Sequence, residues 1–434
     1  MDITSQRLLL GASAGGDSYW QLTHGQLGGG VYGLYDNESH VVSDANQNAY
    51  WSVNLYYSTS SPKRNGLFKV SKDGDLEFKV RTNSSTTASS VDTWSMAVSD
   101  ADGALYSLGN YRTFQNALTK TDLNYTDLAA HTGSTNTGST YSNGRVILTS
   151  TGAPIVCSPD NANLYINRLS SSLTAISSFR LAYSGRYFRY HCQAALLSDG
   201  SILCLAAFNA GNTTSNQLAL TLLNSTASSV TWARYINAGN ADFNTMAVDA
   251  SNNIYILYTE NPNGGDLRLI KYNSSGVLQW AKQWNIGSTT LPYYAIWHDN
   301  QFIVCGDTDK YTNRKGFVAS FDSDGNKLWD NYSNQGGTSR TSYSICPAGP
   351  KAIYFVDGNT SGLALYKVPT DGGATNAPGS GYRFGGAMPA TTTTTISEQS
   401  WTWTTAQAMP LNLTTQTPDA FNTVTANPTL TPIA

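Results

Sequence analysis

From His40 onward, apolar and polar positions alternate in short runs punctuated by Asp, Asn and Gly. Two consecutive stretches overlay almost residue by residue. The first reads Met246-Ala-Val-Asp-Ala-Ser-Asn-Asn-Ile-Tyr-Ile-Leu-Tyr258, then Leu267-Arg-Leu-Ile-Lys-Tyr272 and Asn273-Ser-Ser-Gly-Val-Leu-Gln-Trp280. The second reads Ala295-Ile-Trp-His-Asp-Asn-Gln-Phe-Ile-Val-Cys305, then Gly316-Phe-Val-Ala-Ser-Phe321 and Asp322-Ser-Asp-Gly-Asn-Lys-Leu-Trp329. Alternation of period two over short segments joined by turn residues predicts an antiparallel meander of four strands. One such sheet cannot bury its own faces, so copies must stack.

The outermost segment of each copy carries one bulky apolar residue: Phe78, Leu128, Phe179, Trp232, Trp280, Trp329 and Tyr382, spaced by 50, 51, 53, 48, 49 and 53 residues. The turn before the second segment recurs as Gln47-Asn48, Asp102-Gly103, Thr151-Gly152, Asp199-Gly200, Asn252-Asn253, Asp299-Asn300 and Gly349-Pro350. Both tallies reach seven. Four strands repeated at this period predict an all-β, seven-bladed β-propeller over residues 40–386. A parallel β-helix has shorter coils and no need of Asp-Gly hairpins.

Both flanks fall outside the repeat. Residues 1–39 read as an N-terminal attachment or closing segment. Residues 387–434 read as a Thr/Pro-rich docking tail, in which alternation over Ile396–Thr405 puts Trp401 and Trp403 on one face that wants a partner surface.

Composition narrows the function classes. Charged residues are 13% of the chain and the net charge is −3, which argues against nucleic acid held on a basic face. The cysteines (Cys157, Cys192, Cys204, Cys305, Cys346) are odd in number and lack C-x-x-C spacing, so a reducing compartment is expected. The apolar run near Met1 is short for a secretory signal, and no run is long enough for a membrane span, so no membrane insertion is expected.

Catalytic motifs are missing from the sequence, and its four Glu (Glu38, Glu77, Glu260, Glu398) stand in unrelated contexts. We therefore expect no enzyme, no cofactor and no metal, although a glycosidase assembled from distant Asp residues stays open. Asp322-x-Asp324-Gly325 and Asp100-x-Asp102-Gly103 read as hairpin turns rather than calcium loops. Just before the first strand of successive copies stand Trp94, Tyr141, Tyr190, Phe243, Tyr293, Tyr294 and Tyr343. In a propeller this is the channel rim, where rings either stack on a sugar or partner or wedge neighbouring blades together. The run Ser184–His191 sets Arg186 and Arg189 among Tyr187, Phe188, Tyr190 and His191. It reads either as a reader of carboxylates or anionic sugars or as a solvated loop. His298 reads as a satisfied core histidine.

The block Ala247–Tyr255, followed by Leu-x-Lys-Tyr and Ser-Gly-x-Leu-x-Trp280, resembles the seven-bladed β-propeller repeats of many bacterial and phage proteins, with Asn252 where a turn Gly is usual. The leader Ile3–Ala12 and the Trp-x-Trp tail look like those of tail and appendage proteins of marine and cyanobacterial phages. That resemblance implies a virion structural protein made in the host cytoplasm, serving tail or fibre assembly and host attachment. Its partners would be other virion proteins in an oligomeric assembly, with host surface glycan as a further ligand. A polysaccharide-binding or polysaccharide-degrading propeller is the alternative.

Overall fold

The computed structural model describes residues 5–12, 18–24, 39–55, 64–81, 91–111, 114–124, 127–133, 144–159, 163–182, 187–209, 216–238, 244–260, 267–284, 290–308, 315–333, 341–359, 362–371, 382–384, 392–393, 397–400, 405–409 and 413–416. Among these residues every regular element is a strand. Two come first, β1 (Ser5–Ala12) and β2 (Ser18–His24). The first blade is β3 (His40–Ser43), β4 (Ala49–Leu55), β5 (Arg64–Val70) and β6 (Leu76–Arg81). The second is β7 (Val91–Ser99), β8 (Ala104–Tyr111), β9 (Phe114–Asp122) and β10 (Asp127–Gly133). The third is β11 (Arg145–Leu148), β12 (Pro154–Pro159), β13 (Asn163–Leu169) and β14 (Ala175–Ala182). The fourth is β15 (Tyr187–Leu196), β16 (Ile202–Asn209), β17 (Asn216–Leu223) and β18 (Val230–Asn237). The fifth is β19 (Asn244–Val248), β20 (Ile254–Thr259), β21 (Leu267–Tyr272) and β22 (Leu278–Trp284). The sixth is β23 (Thr290–His298), β24 (Gln301–Thr308), β25 (Lys315–Phe321) and β26 (Lys327–Ser333). The seventh holds β27 (Thr341–Pro347), β28 (Ala352–Asn359) and β29 (Gly362–Pro369). The tail adds β30 (Tyr382–Phe384), β31 (Thr392–Thr393), β32 (Ser397–Ser400), β33 (Thr405–Met409) and β34 (Leu413–Gln416).

Six blades are meanders in chain order, and with the seventh they make the seven-bladed β-propeller that the alternation predicts. The seventh blade differs from expectation. Its fourth strand is β2, antiparallel on β29 with Trp20 opposite Lys367, and β1 adds a fifth. Tyr382, taken from the sequence as the seventh outer-strand marker, instead lies in β30, where it faces Ser333 on β26 of the sixth blade. The constant spacing was real, but a strand from the other end of the chain fills the place it pointed to.

The tail's other strands also pair with the chain's own sheets. β31 lies on β22, β32 on β18, β33 on β14 and β34 on β10, each antiparallel. Among the described residues six sheets thus hold five strands, and the sheet of β3–β6 holds four. Trp401 and Trp403, expected to dock outward, fall between β32 and β33, outside the described residues.

By their contacts the residues fall into two compact units, Met1–Thr93 with Tyr293–Pro389 and Asp419–Ala434, and Trp94–Pro292 with Ala390–Pro418. The first unit contains the first, sixth and seventh blades. In its core Trp51 stacks on Phe68 at 4.8 Å and Phe355 on Tyr366 at 4.6 Å, among Val41, Ile303, Ile345 and Leu365. Burying such a side chain stabilises by about 1.5–3 kcal/mol. The chain's first repeat packs beside its last: Val41 N donates to Ser344 Oγ at 3.2 Å and Tyr354 Oη to Gln47 O at 2.8 Å.

The second unit contains the other four blades, with apolar clusters between neighbours. Leu118, Val146 and Val156 pack between the second and third blades, Phe179, Ile202 and Phe208 between the third and fourth, and Leu205, Ile256 and Ile270 between the fourth and fifth. The bulky residue of the fourth strand has a defined task. Trp232 donates its indole N–H to Ser274 O at 3.1 Å, in the next blade's last turn. Within the first unit Trp329 does the same to Thr370 O at 2.6 Å.

A polar strut fixes the turn before the second strand. Asp249 Oδ1 accepts from the backbone N–H of Ser251 and Asn253, while Oδ2 accepts from Asn253 Nδ2 and, at 3.1 Å, from Tyr255 Oη. Asn252 takes φ 63°, a left-handed position that Asn tolerates better than most residues. Lys271, opposite Tyr255 on the third strand, holds its ammonium 5.2 Å from the ring centroid. Asp44, Tyr50 and Lys69 repeat the strut in the first blade, and Asp102, Tyr106 and Lys120 in the second.

Candidate functional site

The sequence placed the aromatics just before the first strands, and the structure places those it describes inside them: Trp94 in β7, Tyr190 in β15, Tyr293 and Tyr294 in β23, Tyr343 in β27. Trp94 and Tyr343 are each 7% exposed, and Tyr343 belongs to the first unit's core cluster, so these two rings are largely occupied by packing. Tyr293 and Tyr294 keep more surface. Tyr293 Oη donates to Asp307 Oδ2 at 3.1 Å and its ring lies 6.4 Å from that of Tyr343, while Tyr294 meets His40 edge-on at 6.4 Å. Tyr141 and Phe243 lie outside the described residues, as do Arg186 and the side chains of Tyr187, Arg189, Tyr190 and His191.

The backbone of that basic-aromatic run is nonetheless informative. Against the solvated-loop reading, Tyr187–His191 opens β15, and the register slips between Phe188 and Cys192. A bulge of this kind re-aims side chains and often stands beside functional surfaces. Phe188 itself turns inward, 6.3 Å from Phe208.

The hairpin turns of the third and fourth blades enclose a cleft of about 500 Å³ in the second unit. Thr149, Ser150, Thr151, Ser198 and Ser225 line it, with Ile155, Leu169 and Leu196 as apolar wall. Arg168 also lines it, and among the described residues its Nε is buried without an acceptor. Ile176 at the mouth is 57% exposed, a large apolar side chain left in water. A cation, a fringe of Ser and Thr residues and an apolar strip together suit a polar ring bearing an anionic substituent. Sequence reading missed this cleft. Its polar residues stand in turns, where Ser and Thr are ordinary, and only folding brings turns some 50 residues apart together.

Other polar and thiol groups sit between blades of the same unit. Arg145 on β11 donates from Nε at 3.0 Å to Gln193 Oε1 on β15, and Gln193 Nε2 donates to Asn244 O on β19 at 3.3 Å. These bonds tie three first strands together across buried positions. Cys157 and Cys204 face each other at 3.5 Å, and all five cysteines are unbridged by disulfides and buried in strands. The hydrogen bond with Cys157, and then burial, push the Cys204 thiol well up, so it stays protonated and packs as an apolar group.

The remaining sequence candidates resolve as turn and core residues. Asp322 Oδ1 accepts from the N–H of Asp324 and Asn326 in a hairpin turn. Burial works to raise the Asp102 carboxyl, but Lys120, Ser99 and Tyr106 outweigh it and hold it below its ordinary value of 3.8. Among the described residues no group of His, Cys, Asp and Glu is arranged to hold a metal ion. His298 ends β23 with Nε2 2.8 Å from Gly349 O, as a satisfied, partly buried histidine.

No family model matches the chain, and no curated protein matches it. Solved structures similar in fold include the β-propeller domain of the trilobed protease from Pyrococcus furiosus, at 8% identity and TM-score 0.47, covering 80% of this chain and 98% of that one. Sqt1 from Chaetomium thermophilum matches at 10% identity and TM-score 0.47, covering 85% and 95%. A polysaccharide lyase, an ulvan lyase, matches at 9% identity and TM-score 0.48, covering 79% and 95%. Likenesses this remote say nothing about activity, and the propeller fold rests on the chain's own seven sheets.

Proposed function

We propose that the chain is a structural component of a phage particle, a propeller of the tail or fibre apparatus that serves assembly and host-surface attachment. The observation that carries this reading is the covering of sheet edges: among the described residues, strands from both ends of the chain lie along the outer side of six of the sheets. Exposed edges are templates for unwanted pairing, and a subunit packed among many copies at high local concentration has most need to hide them. The leader Ile3–Ala12 and the Trp401–Trp403 tail, similar in style to phage appendage proteins, agree with it. The test is to band particles from a lysate of the host in a density gradient. The chain should co-sediment with the shell protein at a fixed ratio; recovery only in the soluble fraction overturns the reading.

A second reading, recognition of polysaccharide, is favoured by the cleft at Arg168. Binding of uronic or sulfated oligosaccharides to the purified chain, weakened by Arg168→Met, supports it. New reducing ends in the mixture would make the chain a hydrolase.

A further inference from the structure

In four of the seven blades the second strand sets a Tyr opposite a Lys on the third: Tyr50 with Lys69, Tyr106 with Lys120, Tyr255 with Lys271 and Tyr354 with Lys367. Each ammonium lies 5.2–6.0 Å from its partner's ring centroid. In the fourth and sixth blades the same two places hold uncharged pairs, Leu203 with Leu222 and Ile303 with Ser320. The third blade follows neither pattern. There Ile155 stands opposite Arg168, so the cation is kept and the ring beneath it is lost.

The carboxylate is lost as well. In the fifth blade Asp249 has two tasks: Oδ1 accepts from Asn253 N at 2.8 Å and holds the turn, while Oδ2 accepts from Tyr255 Oη at 3.1 Å. Thr149 stands six residues before Ile155, as Asp249 stands six before Tyr255. Its Oγ1 accepts from Ala153 N at 3.0 Å, which preserves the first task, but Thr has no second oxygen for the other. Thr149, Ile155 and Arg168 all line the cleft between the turns, and its volume of about 500 Å³ falls among those of small-molecule sites. A buried guanidinium atom with no acceptor among the described residues is costly until an anion meets it.

Resting on the polysaccharide reading above, we propose that this cleft binds a single uronate unit. Its carboxylate meets Arg168 in place of the oxygen that Thr149 lacks, and its pyranose ring takes the room that Ile155 leaves where the fifth blade has Tyr255. The other blades offer a carboxylate as the template, and a guanidinium fork meets the two oxygens of such a group side by side. Ile176, exposed at the mouth, flanks the apolar face of the ring.

Titration calorimetry tests it on the unsubstituted chain, on Arg168→Met and on Thr149→Asp, which supplies the missing oxygen from within. Glucuronate should bind the unsubstituted chain and glucose should not, and each substitution should weaken glucuronate about tenfold or more. Thr149→Asp should melt no lower than the unsubstituted chain, so that its loss of binding is not a loss of fold. Glucuronate held no tighter than glucose, or held alike by all three proteins, overturns the proposal. Binding of glucose 6-sulfate without glucuronate overturns it too, while polysaccharide recognition stands. Binding of free glucuronate but of no oligomer of it keeps the carboxylate site and sinks polysaccharide recognition instead.

Discussion

The fourth and fifth blades answer the same structural demand with opposite chemistry. In the fifth, the second-strand position after the turn is Tyr255, fully buried yet anchored by Asp249 and faced by Lys271. In the fourth it is Leu203, opposite Leu222, with no polar anchor needed. The strut demands three particular residues at fixed places, whereas the apolar version demands only bulk. Repeats with struts therefore keep a readable signature, and repeats without them drift while keeping the same sheet.

Four substitutions sharpen that contrast. The largest effect belongs to the apolar blade: Leu205→Ala deletes a fully buried side chain of its core and should cost about 2–5 kcal/mol in denaturant unfolding. Gly276→Ala comes next, at about 1–3 kcal/mol by the same assay. Gly276 has φ 70°, and a Cβ there meets the Trp232 ring at 2.8 Å, so both backbone and packing resist it. Tyr255→Phe should cost about 1 kcal/mol, since Asp249 Oδ2 keeps Asn253 as a partner. A double-mutant cycle with Lys271→Met should show coupling between the two residues. If the single effects simply add, Tyr255 and Lys271 are independent contacts rather than one device.

The smallest effect is pH-dependent. Asp102 and Asp299 are held below the ordinary carboxyl value of 3.8, Asp102 by Lys120 and its neighbours, Asp299 by Lys351 and Thr370, against burial in both cases. A depressed folded value means that the unfolded state binds more protons as the solution is acidified. Their contribution is thus present above the ordinary value and lost as pH falls through the folded one. Asp102→Asn should lower stability slightly at neutral pH and make no difference once both states are protonated. A gap that persists unchanged into strong acid shows that the residue acts through the turn alone.

The sheets and their turns were largely legible. Six of the seven outer-strand markers, from Phe78 to Trp329, lie in fourth strands as expected. The strut was visible in principle, since Asp and Tyr stand six apart at Asp44–Tyr50 and again at Asp249–Tyr255. The edges were not legible. β31 is two residues long and β32 and β34 are four each, too short for any periodicity to emerge. Their pairing depends on which edge lies open, a property of the folded body. The same holds for the seventh blade, completed by β2, and for the cleft at Arg168, which exists only between neighbouring turns.

The most direct measurement compares the melting and association of the full chain with those of a chain ending at Gly386. If β31–β34 are structural parts of the second unit's sheets, the shortened chain melts lower by about 5 °C or more and self-associates through its bared edges. An unchanged melting temperature with a monodisperse monomer contradicts that, and makes the tail an appendage rather than a part of the fold.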